Sequence, residues 1–328
     1  MKRNIALVTG GYSGESVISY KTAIAIGNSL DKEKYRVFKI DINPSGWFYE
    51  PEEGENTPVD KNDFSIFHEG NPVKFDAVFI ALHGTPGEDG KLQGYFDMLQ
   101  IPYTGCGAAT SAITFNKSYG TSVAKKAGIS VAASVLLFQH SNYSVDDILA
   151  QCQLPLFVKP NNGGSSIGMS KVTTSEELPI AIEKAFKEDS QVIVEEMVQG
   201  REFTVGVYKA SGTIKTLPIT EVRAHDHKAF FDFEAKYDGH STEITPAQVE
   251  EAIAEKLRAT AKQVYAAFNC RGIVRIDFIF NETDGRPYML EVNTVPGQSA
   301  ASIVPMQVKA DGIELKDFYS LLIEECFV

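Results

Sequence analysis

Short apolar runs alternate with longer amphipathic stretches through the first third of the chain. Residues 5–9, 35–42 and 75–82 form β-rich runs, the last continuously apolar, and residues 16–30 carry a helical period between the first two. Strands alternating with helices predict a parallel sheet covered on both faces. Residues 51–62, rich in Glu, Asn and Asp, predict a loop or hairpin insertion. From about Phe115 the pattern changes to a helix over 117–127, strands near 134–138 and 155–159, a Gly/Ser turn at 163–168 with a strand after it, a helix over 176–187 and a strand over 191–196. Beyond these come strands over 202–209 and 214–219, a polar loop over 221–243, and a long amphipathic helix over 246–268 with Pro246 at its start. Two more strands and a helix over 315–325 close the pattern. The changes of pattern divide the chain into units 1–114, 115–200 and 201–328, a multidomain α/β (α+β) protein.

Composition narrows the partners. The 328 residues carry 31 basic and 43 acidic side chains, a formal charge of −12, with 43% hydrophobic residues. A large core is available, and the acidic balance argues against a nucleic-acid or anionic-membrane surface, both of which need an excess of basic side chains. A polyanionic ligand would have to meet local positive charge. The four cysteines, at 106, 152, 270 and 326, have no paired spacing, so neither a disulfide scaffold nor a zinc ribbon is expected and reduced cytoplasm is the default compartment. No apolar stretch nears the roughly 20 residues of a membrane span.

The most informative stretch is Arg275-Ile276-Asp277-Phe278-Ile279-Phe280, a turn, then Tyr288-Met289-Leu290-Glu291-Val292-Asn293. Period-two alternation puts Arg275 with Asp277 on one face and Glu291 with Asn293 on one face. A three-residue loop at Thr283-Asp284-Gly285, with glycine at the left-handed position, sets Asp277 opposite Glu291 and Arg275 opposite Asn293. Facing carboxylates repel unless neutralised, so either a hard cation such as Mg2+ sits between them or the face is solvated. Ile276, Phe278, Leu290 and Val292 on the other face would anchor the hairpin to a core.

Lys159 ends a strand that runs into Asn161-Asn162-Gly163-Gly164-Ser165-Ser166-Ile167-Gly168, either a phosphate cradle of backbone N–H groups or a bare flexible turn. Glu195-Glu196-Met197-Val198 followed by Glu202 could hold an adenosine or be a solvated sheet edge. The common P-loop pattern is absent, and Gly10-Gly11-Tyr12-Ser13-Gly14 has neither dinucleotide nor nucleophile-elbow spacing. His225-Asp226-His227 lacks a third ligand nearby, and Ser122-Val123-Ala124-Lys125 matches Ser-x-x-Lys by chance on an amphipathic helix.

Seven segments in order nevertheless resemble one family over essentially the whole chain. They are Gly10-Gly11-Tyr12-Ser13-Gly14-Glu15; Ala81-Leu82-His83-Gly84 with Gly87-Glu88-Asp89-Gly90-Lys91-Leu92-Gln93-Gly94; Val158-Lys159-Pro160 through Gly168; Glu202-Phe203-Thr204-Val205; Glu234-Ala235-Lys236-Tyr237; Arg275-Ile276-Asp277; and Leu290-Glu291-Val292-Asn293-Thr294-Val295-Pro296-Gly297. Together they resemble the D-alanine–D-alanine ligase family of ATP-grasp enzymes.

The resemblance implies an ATP-grasp fold behind an N-terminal parallel-sheet domain, with ATP as co-substrate between the central and C-terminal domains. It implies joining of two D-alanine molecules through an acyl phosphate, for peptidoglycan precursors, by a cytoplasmic homodimer. Lys117, Lys159, Ser166 and Lys236 match phosphate-side ATP positions, and Glu195, Glu196, Val198 and Glu202 the adenosine side. Asp277, Glu291 and Asn293 match the ligands of two Mg2+ or Mn2+ ions. Glu15 and His83 match the first D-alanine site, Arg275 and Gly297 the groups that steady carboxyl and oxyanion, and Ser302 with Ile303 the second substrate's carboxylate. Ser165 and Tyr237 match positions linked to Glu15, and a tyrosine at 237 resembles the D-alanine rather than the D-lactate type. A regulator that only binds nucleotide would not need Glu15, Lys236, Arg275, Asp277, Glu291 and Asn293 together. Two segments depart from the family: Ser16-Val17-Ile18-Ser19 follows Glu15 where a second acid is frequent, and Asn162-Gly163 replaces a charged pair of some members.

Overall fold

The computed structural model describes residues 2–164, 167–224 and 241–328. Its first strand, Arg3–Gly10, lies parallel between Tyr35–Asn43 and Ala77–Ile80. Period two divides the apolar run at its start between two cores: Ile5 and Leu7 point into one, Ala6 and Val8 into the other. A strand buried on both faces needs no polar alternation, which is why 5–9 and 75–82 read as continuous apolar runs. The antiparallel strands Gly46–Tyr49 and Thr57–Pro58 extend this sheet at the Tyr35–Asn43 side, so parallel order holds only for the three strands Tyr35–Asn43, Arg3–Gly10 and Ala77–Ile80.

Four antiparallel strands, ordered Ser170–Val172, Leu156–Pro160, Gln191–Glu196 and Ser134–Phe138, form a second sheet. Helix Leu178–Ala185 covers it, and its core draws only on residues between 135 and 194. The third sheet has six strands. Ser241–Ile244, Thr220–Ala224, Arg201–Ala210, Ile273–Asn281 and Arg286–Asn293 lie in that order, and Thr213–Thr216 pairs with Arg201–Ala210.

Three expectations change here. The polar loop over 221–243 begins and ends in paired strands, because Glu221 is buried between Arg201 (2.8 Å) and Arg223 (2.7 Å) and its charge hides a strand from hydropathy. The long helix starts at Glu251 and ends at Ala267. Ahead of it the Ala247 N–H donates to the Ile219 carbonyl at 2.8 Å, so 246–250 runs along the sheet instead of coiling. A helix absent from the sequence reading, Ile303–Ala310, precedes the closing helix Leu315–Glu324. Among the described residues no helix is long and apolar enough to cross a membrane.

Candidate active site

The hairpin of Ile273–Asn281 and Arg286–Asn293 pairs Asp277 with Glu291 and Arg275 with Asn293. The register arises differently from the expected three-residue loop. Asn281 pairs with Arg286, leaving four residues in the turn, and a bulge between Asp277 and Phe278 skips Leu290 and restores the pairing. The Asn281 side chain accepts the Thr283 and Asp284 N–H groups, and Gly285 takes the left-handed conformation at φ +67°. The bulge also moves a side chain across the sheet: Met289 and Val292 enter the core, while Leu290 lines a cavity and does not anchor the hairpin there.

Asp277 is buried yet surrounded by donors. Arg275 grips it through Nε at 2.9 Å and Nη2 at 2.8 Å, Thr204 Oγ1 donates at 2.5 Å, and Asn293 Nδ2 donates at 3.0 Å. Burial alone would weaken the Arg275 charge, but Asp277 and then Glu291 outweigh it and hold the guanidinium firmly protonated. Arg275 therefore does part of the neutralising that the sequence assigned to a cation or to solvent. The Asn293 amide lies 3.4 Å from Glu291 Oε1. Among the described residues no three His, Cys, Asp or Glu side chains are placed so that they alone could hold a metal ion. The donors here are two carboxylates and an amide, the hard-oxygen set that suits Mg2+ completed by water and phosphate oxygens.

Two cavities meet at Glu291. The first, about 760 Å3, lies between the second and third sheets and is lined by Lys159, Glu195, Glu196, Val198, Glu202 and Leu290 among others. Lys159 Nζ lies 2.5 Å from Glu195 Oε1, so the lysine ammonium already has a carboxylate in this cavity. Glu196 turns its carboxylate to the Gln153 N–H at 2.7 Å, which leaves its backbone rather than its side chain for a ligand. Lys117 opens helix Lys117–Lys126 and donates to the Gly163 carbonyl at 2.5 Å. Burial lowers its pKa while Glu291 opposes the shift and Lys159 adds to it, so its charge is poorly solvated and ready for an anion.

The second cavity, about 350 Å3, is lined by Glu15, His83, Lys117, Arg275, Gly297, Ser302 and Ile303 among others. Glu15 stands at the start of helix Ser16–Ser29, at the carboxyl end of the first strand, and His83 follows the parallel strand Ala77–Ile80, the usual place for a ligand in such a sheet. The Glu15 carboxylate sits between Gly84 and Gly164: a Cβ at either glycine would lie 2.7 Å from one of its oxygens. His83 is buried, with Nε2 3.0 Å from Thr22 Oγ1; burial and the Arg275 charge push its pKa down to about 4, so the ring is neutral. Gly297 lies so close to Ser302 that a Cβ would stand 2.8 Å from its hydroxyl. Ser302 occupies the N-cap of Ile303–Ala310 without capping it; its hydroxyl meets Ser299 at 2.8 Å, and the helix N-terminus faces the cavity as a carboxylate site would.

Ser165, Ser166, Lys236 and Tyr237, with the His225-Asp226-His227 triplet, lie outside the described residues. The structure adds cavity residues that the sequence reading left without a role: Lys21, Glu88 and Glu243. Glu88 alone carried a signal, inside the Gly87-Glu88-Asp89-Gly90 run. The Gly84 N–H donates to it at 2.7 Å, yet burial and the Glu15 charge push its carboxyl up to about 8.

Residues 4–106 match the family model described as D-ala D-ala ligase N-terminus, and residues 123–324 the model described as D-ala D-ala ligase C-terminus. A D-alanine–D-alanine ligase of Bacteroides fragilis is 42% identical over 327 residues, covering 100% of both chains, and one of Flavobacterium johnsoniae is 45% identical over 322 residues, covering 98% of each. Among solved structures, the VanG D-Ala:D-Ser ligase of Enterococcus faecalis superposes with a TM-score of 0.89 at 30% identity, over 99% of this chain and 100% of that one. D-alanyl-alanine synthetase A of Vibrio cholerae gives 0.88 at 30%, over 100% and 99%. The Bacillus anthracis D-alanine–D-alanine ligase complexed with ATP gives 0.79 at 28%, over 99% and 97%.

Proposed function

The chain belongs to the D-alanine–D-alanine ligase family, and from that premise we propose how its residues divide the work of the reaction. The enzyme is an ATP-dependent, ADP-forming ligase that joins two D-alanine molecules for peptidoglycan precursor synthesis. The carboxylate of the first D-alanine attacks the γ-phosphate of ATP and releases ADP. The amine of the second then attacks the acyl phosphate carbon, and phosphate leaves.

ATP occupies the larger cavity, its adenosine against Glu195, the Glu196 backbone, Val198 and Glu202, and its phosphates toward Lys117 and Lys159, a role that family membership extends to Ser166 and Lys236. Lys159 exchanges Glu195 for a phosphate oxygen as ATP enters. Asp277, Glu291 and Asn293 would hold two Mg2+ or Mn2+ ions, which neutralise phosphate charge when bound. In the smaller cavity Glu15 takes the first ammonium group, with Ser165 and Tyr237 assigned by family membership to steady it, and neutral His83 packs beside that substrate without adding charge. Arg275 steadies the first carboxyl, and the Gly297 N–H receives the oxyanion that forms as the amine attacks. Ser302 and the N-terminus at Ile303 take the second carboxylate. The reaction needs water kept from the acyl phosphate, which it would hydrolyse.

The observation that carries this reading is the junction of a nucleotide-sized and an amino-acid-sized cavity at Glu291, beside the Arg275–Asp277 pair. The test is ADP release from Mg-ATP with D-alanine, against L-alanine and against D-alanine with D-lactate or D-serine. D-alanine alone should support turnover and L-alanine none; absence of D-alanine-dependent release would overturn the assignment. We further propose a cytoplasmic homodimer with units 1–114, 115–200 and 201–328. Four free cysteines support the reducing compartment, and exposed Val17 and Ile24 on one face of the first helix support an apolar contact between copies.

A further inference from the structure

Between Val292 and Ser299 every residue but one lines the smaller cavity; the exception is Gln298. Its side chain turns the other way and is buried, 4% exposed, beneath the turn that carries Gly297. Each polar group of that side chain is matched. Nε2 donates to the Pro296 carbonyl at 3.1 Å, folding the side chain back under its own turn. Oε1 accepts the hydroxyl of Tyr319, a fully buried residue of the closing helix, at 3.2 Å. The Gln298 backbone N–H donates to Thr22 Oγ1 at 3.4 Å, and Thr22 is the partner of His83. The His83 ring in turn hydrogen-bonds the Val295 backbone. The turn is thus tied at Val295 and Gln298 to the loop after the third parallel strand, the first helix and the closing helix, and Gln298 braces it from within through Pro296.

We infer that Gln298 and Tyr319 are positioning residues for the reaction, which fix the Gly297 N–H and the Ser302 N-terminus relative to the substrate. This inference rests on the proposed reading of the site. Neither side chain touches the cavity, so neither would alter substrate contacts directly. A tyrosine hydroxyl in a dry core gains nothing from burial unless it has a partner, and a buried glutamine is costly unless every amide group is satisfied. The same apolar volume could be filled by phenylalanine and methionine. The polar pair instead specifies one arrangement of a turn whose N–H groups must face the reacting atoms, where a displacement of about 1 Å can cost a hundredfold in rate.

The test compares Tyr319→Phe, Gln298→Met, the double variant and, as a control, Tyr208→Phe, a buried tyrosine of the same core. Tyr319→Phe and Gln298→Met should each lower kcat by about tenfold while KM for ATP changes less than about twofold. The double variant should be no slower than the slower single one, since both break one link, and Tyr208→Phe should match the parent. Amide exchange across residues 294–300 should quicken by roughly tenfold in both single variants, with the closing helix itself unchanged. That readout holds whatever the amino-acid substrate proves to be, so failure of the D-alanine assay and failure of this inference are distinguishable. Unchanged exchange in the turn of Tyr319→Phe, or rate effects that multiply in the double variant, would overturn it. If Gln298→Met does not fold, Tyr319→Phe alone decides by the same two measurements.

Discussion

Glu88 shows how a single carboxyl records its surroundings. Its ordinary range lies near 4.5, and burial with the neighbouring Glu15 charge pushes it up to about 8 in spite of backbone hydrogen bonds with Gly84 and Val295. The folded protein therefore holds a proton between those values that the unfolded chain has lost. The sign follows: stability from this group is complete below pH 4.5 and is lost as pH rises toward and through 8. His83 acts at the other end. Its lowered pKa, about 4, means that the unfolded chain takes up the proton first, so its contribution is lost as pH falls through about 6.5 to 4. Above pH 6.5, where the His83 contribution is complete, the thermal midpoint of metal-free protein should fall up to about pH 8.5, and Glu88→Gln should flatten that fall. Equal pH slopes for parent and variant across this window would show that Glu88 is ionised throughout. The carboxyl was visible in its glycine-rich motif, but its proton was not, because the group that raises it, Glu15, is 73 residues away and meets it only through the sheet.

At the level of elements, the Leu290 bulge separates two neighbouring side chains that composition treats alike. Met289 is 3% exposed in the core beneath the third sheet, whereas Leu290 faces the larger cavity. Met289→Ala should cost about 2–5 kcal/mol of stability, read as a lower urea midpoint. Leu290→Ala should leave that midpoint nearly unchanged and raise KM for ATP several-fold through lost apolar contact. A large midpoint loss with unaltered KM in Leu290→Ala would place it in the core after all. Period-two alternation could place Asp277 against Glu291 because the errors of loop length and bulge cancel. It could not place Leu290, since one extra residue reverses the faces of everything nearer the turn. Strands 3–10 and 191–196 were legible from apolar content, and the helix at 16–29 from its period. Thr220–Ala224 was not, because Glu221 and Arg223 are charged, and Glu221 is neutralised by Arg223 two residues along together with Arg201 from another strand. Helix Ile303–Ala310 was hidden by Pro305 in its first turn, a position that tolerates proline because no intrahelical donor is needed there.

Across the whole molecule, the net charge of −12 and an anionic co-substrate are reconciled by placement: Lys117, Lys159 and Arg275 line the two cavities, and each already has a polar or acidic partner. The cores are distributed unevenly, and this bears on motion. Ile5, Leu7 and Ile26 of the first unit share a core with Tyr208, Val308, Phe318 and Tyr319, so the two ends of the chain are one packed body. The second sheet keeps a core to itself and meets the remainder through polar contacts, among them the Lys117 and Ser118 N–H groups on Asn161 at 3.0 and 2.9 Å and the Asn116 amide on Gln191 at 3.1 Å. Apolar burial of order 25 cal/mol per Å2 resists separation of the first and third sheets, while polar contacts that exchange with water resist movement of the second sheet far less. In native-state hydrogen exchange at low urea, the four strands from 134 to 196 should therefore open together below the global free energy. Strands Arg3–Gly10 and Ile273–Asn281 should keep protection until both lose it at once. A nonhydrolysable ATP analogue at about 100 times its Kd, spanning the larger cavity, should raise the free energy of the first event by about 2.7 kcal/mol. Opening of Arg3–Gly10 ahead of Ile273–Asn281, or no change on adding the analogue, would contradict a shared core at the ends and a nucleotide held between the second and third sheets.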